Sequence, residues 1–92
     1  MTLRISIHQN AQAVGLTLEG RLAGPYVAEL TRAWQETSAS LKGRSVELDL
    51  RNVTYSDAHG KQALRQIFKQ THAQLVTSSP WSEYLAQEIR GE

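Results

Sequence analysis

The amino-acid sequence predicts an α/β fold in which a mixed β-sheet is covered by helices, in the order β-β-α-β-α-β-α. Segments that alternate apolar and polar residues, as half-buried strands do, are interleaved with segments whose apolar residues lie three and four positions apart, as in amphipathic helices. Pro25 and Pro80 each stand at the start of a helical segment. Since 92 residues are too few for two independent cores, residues 1–92 are expected to form a single domain.

The first two strands are predicted from alternation on either side of a short turn. Leu3, Ile5 and Ile7 alternate with polar residues, and the same alternation returns over residues 14–18. The polar stretch Asn10-Ala11-Gln12 between them is suited to a turn. These segments predict an antiparallel hairpin.

The first helix is predicted from Pro25 to Ser38. Proline suits the first helical position, where its missing N–H has no partner to lose. Apolar residues then recur at three- and four-residue spacing from Val27 to Trp34, with polar residues on the other faces.

A third strand and a second helix are predicted next in the chain. Alternation over residues 46–50 indicates the strand, and its apolar pattern continues to Tyr55. Asp57 can cap the helix because its carboxylate accepts hydrogen bonds from free N–H groups of the first turn. The helix is expected to end near Thr71, with Leu64 on its buried side.

A short strand and a last helix complete the predicted fold. Residues 75–77 are β-prone, and Ser79-Pro80 is a typical helix start. Trp81, Leu85 and Ile89 are expected to face inward. Strands joined through helices should run parallel, with right-handed crossovers.

Composition excludes several classes of function. Ten Lys plus Arg against nine Asp plus Glu leave a net charge of +1, so no nucleic acid is expected as a partner. The absence of cysteine excludes thiolate metal sites and a thiol nucleophile. Neither a secretory signal nor a run of about 18 apolar residues is present, so we expect a soluble cytoplasmic protein without direct membrane insertion.

No cluster of residues predicts catalysis, a metal or a cofactor. Ser56, Asp57 and His59 are almost adjacent, but a Ser-His-Asp triad needs the imidazole between the other two groups in space, which one tight turn rarely provides. The histidines lack the spacing of zinc ligands, and no phosphate-binding glycine motif is present. We therefore expect a protein that is not an enzyme; a hydrolase built on Ser56, Asp57 and His59 is the remotest alternative.

Two sets of side chains allow either a partner-binding or a structural interpretation. Lys61, Arg65 and Lys69 form a basic row at four-residue spacing, which is either a solvated helix face or a contact for an acidic partner. Tyr26 and Tyr55 flank the two loops that precede helices, where a ring either packs or anchors a partner.

Two stretches of the chain carry a recognisable motif. Residues 16–22 read LTLEGRL and precede a helix, and residues 46–60 read VELDLRNVTYSDAHG. They resemble the STAS family, named after sulfate transporters and anti-sigma factor antagonists, whose pattern is L-x-G-x-L-D, a long helix, and then hydrophobic-D-L-x-x-V-x-[FY]-I-D-S-[ST]-G. The resemblance covers Leu3 to Ile89 and implies the STAS fold.

The resemblance also implies a switch at the start of the second helix. In the family's bacterial regulators, a kinase-like anti-sigma factor phosphorylates the Ser that follows the motif Asp, and this breaks the complex. Asp57 matches the motif Asp and Gly60 the motif Gly. Ala58 occupies the phosphoacceptor position and has no hydroxyl group, so it is not phosphorylatable.

Three further positions depart from the family pattern. His59 stands where a second Ser or Thr is common, and Ala23 stands where the strand-end Asp is expected. Ser56 precedes the motif Asp, where an apolar residue is usual, and is not expected to replace the acceptor. Phosphorylation would add a charge of about −1.5 to −2 at the helix start, and Ala58 cannot take it.

Together, the resemblance and the missing catalytic cluster predict a non-enzymatic protein-interaction module. It is expected to dock a regulatory partner through the Ser56–Gly60 loop and the following helix, without the usual Ser phosphorylation switch. The predicted partner-binding residues are Tyr55, Ser56, Asp57, Ala58, His59, Gly60, Lys61 and Arg65. The resemblance implies a kinase-type anti-sigma factor as the protein partner and bacterial transcription regulation as the setting. Whether the chain forms a homodimer stays open.

The alternative hypothesis is a sensor or transport-accessory subunit that binds a small anionic ligand or nucleotide. The free N–H groups and dipole of the second helix attract anions, and His59 could add a titratable positive charge. No cofactor and no metal is expected under either hypothesis.

Overall fold

The computed structural model describes residues 2–91, and its elements follow the predicted order. The helices have the bounds expected from their Pro and Asp start signals. The elements are β1 (Leu3–Gln9), β2 (Ala13–Leu22), α1 (Pro25–Ser38), β3 (Ser45–Ser56), α2 (Ala58–Thr71), β4 (Gln74–Val76) and α3 (Pro80–Arg90).

The four strands form one mixed sheet in the spatial order β1-β2-β3-β4. The predicted hairpin is confirmed, since β1 pairs antiparallel with β2. In its turn, Asn10 donates its N–H to the Ala13 carbonyl over 3.0 Å, while the Asn10 Oδ1 accepts from the N–H groups of Gln12 and Ala13. The strands joined through α1 and α2 are parallel, as the crossover rule requires.

One face of the sheet carries the core. Alternate residues of β2 and β3, such as Leu16 and Leu48, are fully buried on this face, and α1, α2 and α3 add Leu30, Leu64 and Leu85 to the same cluster. Burying a leucine contributes about 1.5–3 kcal/mol, so this shared cluster is the main source of stability. The three helices therefore cover one face of the sheet.

The opposite face of the sheet is polar. Arg4 lies 3.9 Å from Glu19 there, and Thr17 is in register with Asp49. The side chain of Asp49 accepts hydrogen bonds from Arg51, whose guanidinium lowers the pKa of the Asp49 carboxyl.

The pairing of β2 with β3 contains two register shifts, which the alternation in the sequence did not reveal. Each shift moves the following residues of β3 to the other face. As a result Val53 is buried, whereas Tyr55 points outward with 41% of its surface exposed and Ser56 turns inward.

Within residues 2–91, no helix has the length and apolar character needed to cross a membrane.

Candidate functional site

The candidate site lies where β2 and β3 end side by side. Because the two strands are parallel, their carboxyl ends lie at the same end of the sheet. The loop from β2 to α1 and the turn from β3 to α2 therefore meet there. The backbone joins them directly, since the Asp57 N–H donates to the Leu22 carbonyl over 3.2 Å.

Asp57 caps α2, as predicted, and also ties the two loops together. Its Oδ1 accepts from the Gly60 N–H over 2.7 Å, and its Oδ2 accepts from the Gly24 N–H over 3.2 Å. The hydrogen bond from Gly60, followed by that from Gly24, lowers the pKa of the Asp57 carboxyl. We call these two contacts the Asp57 bridge.

Gly60 is buried beneath this bridge, in the first turn of α2. A Cβ atom at this position would lie 2.5 Å from the Ser56 Oγ and 2.7 Å from the Leu22 carbonyl oxygen. Only glycine allows the helix to approach the end of β2 so closely. This close approach is a physical reason why Gly60, which matches the glycine of the motif, stands at this position.

Ser56, Asp57 and His59 do not form a triad. The Ser56 side chain is buried, and its hydroxyl donates to the Asp57 backbone carbonyl over 3.1 Å. The His59 side chain is exposed at the surface of α2. Ser56 thus occupies the inward position where the STAS pattern has an apolar residue, and it stabilises the turn.

Several exposed residues lie near the Asp57 bridge, at the ends of β2 and β3 and at the start of α2. Arg21 lies over the Tyr55 ring, with its guanidinium carbon 4.2 Å from the ring centre, and this cation–π contact holds the ring in place. Ala58 and His59 are exposed at the start of α2. We call Arg21, Tyr55, Ala58 and His59 the helix-start surface.

The predicted partner-binding residues divide by exposure, and only some of them can present a side chain to a partner. The exposed ones are Tyr55, Ala58 and His59; the half-buried ones are Asp57, Lys61 and Arg65; the buried ones are Ser56 and Gly60.

Lys61 and Arg65 contact α3 rather than standing free as a solvated row. The Lys61 Nζ lies 3.5 Å from a Glu88 carboxylate oxygen and 5.2 Å from the centre of the Tyr84 ring. Arg65 donates to the Glu88 backbone carbonyl over 2.8 Å. Lys69, the third residue of the row, is exposed. Sequence spacing could not reveal this role, because it depends on where α3 packs.

We expect Lys61→Glu to destabilise the chain by about 1 kcal/mol, because it places a second carboxylate beside Glu88 in a half-buried contact. Lys69→Glu makes the same charge change at an exposed position of the same helix and should cost less than about 0.5 kcal/mol. Urea unfolding measures both. Adding Glu88→Lys to Lys61→Glu should recover most of the loss; no recovery would contradict the assigned pair.

The geometry disfavours an external anion at the start of α2. The negatively charged Asp57 carboxylate already accepts the Gly60 N–H, so a second anion would meet like charge at close range. The sequence placed Asp57 at this cap but could not show that it also binds the Gly24 N–H.

A groove of about 610 Å³ runs between α1 and α2 and opens beside Gly24 and His59. At its other end, the Trp34 Nε1–H donates to the Gln70 side-chain oxygen over 3.0 Å. The sequence analysis did not predict this groove, because the gap between two helices depends on their packing and has no local sequence signal.

No protein-family model and no curated protein matches the sequence of this chain. Among solved structures, it is similar to a protein called Mglu, with a TM-score of 0.63 and 18% identity over 82% of this chain. The chain spans only 19% of the length of Mglu.

A second similar structure is an uncharacterized protein of the DUF3478 family from Shewanella loihica PV-4, described as having a SpoIIAA-like fold. The TM-score is 0.61 and the identity 11%, over 94% of this chain and 78% of that one. At such identities the similarity shows the fold alone. The chain has a SpoIIAA-like fold, which is the fold of STAS domains and anti-sigma factor antagonists, so the predicted resemblance is confirmed at the level of the fold.

Proposed function

We propose that this chain is a non-enzymatic module that docks a regulatory protein through the helix-start surface. The SpoIIAA-like fold supports an anti-sigma antagonist-like module in general terms. The partner we propose is a kinase-type anti-sigma factor, as the resemblance of residues 16–22 and 46–60 implies.

The observation that carries the proposal is the division of labour at the start of α2. Ser56, Asp57 and Gly60 make the internal contacts of the turn, while Tyr55 and His59 lie exposed beside Ala58. An aromatic ring fixed by Arg21 loses little side-chain freedom on binding, which suits it to anchor a partner.

The same arrangement supports a surface without a phosphorylation switch. Within residues 56–60 the one hydroxyl belongs to Ser56, and it is buried and engaged with the Asp57 carbonyl. Ala58 holds the exposed position at the helix start and offers no oxygen to a kinase. The surface is therefore fixed in its unphosphorylated state.

We expect Ala58→Glu to weaken binding to a kinase-type anti-sigma factor from the same genome at least tenfold, since it places a fixed negative charge in the contact. An acidic residue in the first turn of a helix is favourable, so the variant should fold normally. Ala11→Glu is the matched control, because Ala11 is exposed in the β1–β2 turn at the opposite end of the sheet. Titration calorimetry measures both affinities.

Two outcomes would count against this function. Equal loss of binding in both variants would show a general charge effect, and no binding by the unmodified chain would remove the proposed partner. Incubation with the kinase and ATP, followed by intact-mass analysis, should leave residues 56–60 unmodified; a phosphate mapped there would contradict the absence of a switch.

A further inference from the structure

β1 is an outermost strand with an open edge. It pairs with β2 along its whole length of seven residues, without a proline or a register shift. Its other side faces no strand in the part of the chain that the structure describes. The opposite edge of the sheet, β4, has only three residues. Open edges of this length are templates for pairing with another strand.

Hydrogen bonding shows which backbone groups of β1 point outward. Asn10 bonds with Ala13, and Thr2 accepts from Arg21, so the even-numbered residues face β2. The N–H and C=O groups of the odd-numbered residues therefore point to the open edge, and in residues 2–91 they have no other backbone partner. These residues are Leu3, Ile5, Ile7 and Gln9.

On the core side of this edge, three of the four side chains of β1 are apolar, and the fourth is Gln9. Leu3, Ile5 and Ile7 lie on the same face as Leu16 and Leu18, their neighbours on β2. Ile5 is half-buried and Ile7 remains 38% exposed, so the core is incompletely covered at the edge.

β1 lacks a proline, a bulge and an inward-pointing charge. Natural edges often carry an inward-pointing charge, a proline or a bulge. In β1 the one Lys or Arg residue, Arg4, lies on the polar face beside Glu19 and leaves the apolar side open.

We propose that a second copy of this chain pairs with β1, antiparallel and about a two-fold axis at Ser6. This register sets Ile5 opposite Ile7 of the second copy and Leu3 opposite Gln9, so that outward backbone groups meet outward groups over all seven residues. Registers centred on Ile5 or Ile7 keep the same pairing of outward groups but overlap over only about five residues. The proposed register therefore makes the most hydrogen bonds.

The occupant is a second copy because the strand is complementary to itself in this register. Isoleucine meets isoleucine on the core face, which covers the exposed Ile7, and Ser6 meets Ser6 on the polar face. The result is a continuous eight-stranded sheet across the two copies. One strand edge is a small contact, so the dissociation constant of the dimer should be on the order of 100 μM.

The test uses the unmodified chain between about 10 μM and 1 mM, by sedimentation equilibrium and by amide hydrogen exchange read by NMR. We expect the dimer fraction to rise with concentration. Exchange of the Ile5 and Ile7 amides should slow with it, whereas the Ser6 and His8 amides, already bonded to β2, should change little. A chain that stays monomeric, or slowing elsewhere than at the odd-numbered amides, would overturn the proposal; the former would leave the edge to a strand of another protein.

Ile7→Lys places a charge on the apolar side of the edge and should raise the dissociation constant of the dimer at least tenfold. Ala39→Lys adds the same charge at the exposed end of α1 and should leave dimerisation unchanged. Equal effects of the two variants would refute the role of β1. The proposal does not depend on the helix-start surface, since that surface lies at the ends of β2 and β3.

Discussion

Gly60→Ala is expected to destabilise the chain by about 2–3 kcal/mol, the cost of forcing a methyl group into a packed contact. The added Cβ would lie 2.5 Å from the Ser56 Oγ and 2.7 Å from the Leu22 carbonyl oxygen. The Ser56 side chain can rotate away from the added methyl group. The Leu22 carbonyl belongs to the backbone of β2, so that contact is relieved only if α2 moves away from β2. In an ordinary helix the same change would stabilise by about 1 kcal/mol, so the sign of the effect is diagnostic.

Gly15→Ala is the matched control. Gly15 lies in β2, and a Cβ there would meet only the His8 carbonyl, at an ordinary distance of 3.9 Å. We expect a change of less than about 0.5 kcal/mol in the free energy of unfolding by urea. If Gly60→Ala is as well tolerated as Gly15→Ala, the close approach of α2 to β2 is wrong.

The helices could be predicted because their signals are local. Pro25 starts α1, Asp57 caps α2, and Ser79 caps α3 because its side chain accepts a hydrogen bond from the Ser82 N–H. Each signal acts within one turn of the chain, where neighbours in sequence are neighbours in space. For the same reason the turn after Asn10 was predicted correctly.

The facing of residues at the end of β3 could not be predicted, because it depends on pairing between strands. The two register shifts between β2 and β3 place Tyr55 outward and Ser56 inward. An alternating pattern read along one strand assumes that pairing is regular, and a bulge breaks that assumption without changing the local sequence pattern. The outward position of Tyr55 is nevertheless what gives the helix-start surface its aromatic residue.

The sequence predicted which residues form the candidate site, but not which contacts they make. The motif placed Asp57, Ala58 and Gly60 at the start of α2, and the structure supplies the reasons for two of them: capping for Asp57 and close packing for Gly60. The contacts of Lys61 and Arg65 with Glu88 join residues more than twenty positions apart, so no local spacing could reveal them.

Asp57→Ala is expected to destabilise the chain by about 2 kcal/mol at pH 6, at the upper end of the cost of losing a helix cap. The change removes the acceptor for the Gly60 N–H and also the contact with the Gly24 N–H, so the loops before α1 and α2 are no longer held together. Asp57→Asn keeps one side-chain oxygen for the cap but loses the charge and one of the two contacts. It should therefore cost about half as much.

The dependence of this loss on pH tests the bridge itself. The hydrogen bond from Gly60, then that from Gly24, lowers the pKa of Asp57 in the folded chain below the ordinary value of about 3.9. The stabilisation is therefore complete above that value and is lost as the pH falls through the lower folded pKa. Arg51 also lowers the pKa of Asp49. Protonation of Asp49 in acid therefore lowers the free energy of unfolding of the unmodified chain and of the variants alike.

The informative quantity is consequently the gap between the unmodified chain and Asp57→Asn, because Asp49 is common to both. Urea unfolding at pH 6 and at pH 2.5 should show this gap narrowing at the lower pH, because the stabilisation by the ionised carboxylate declines once the pH falls below the ordinary pKa of about 3.9. A gap of the same size at both values would mean that the Asp57 carboxylate does not hold the two loops through its charge.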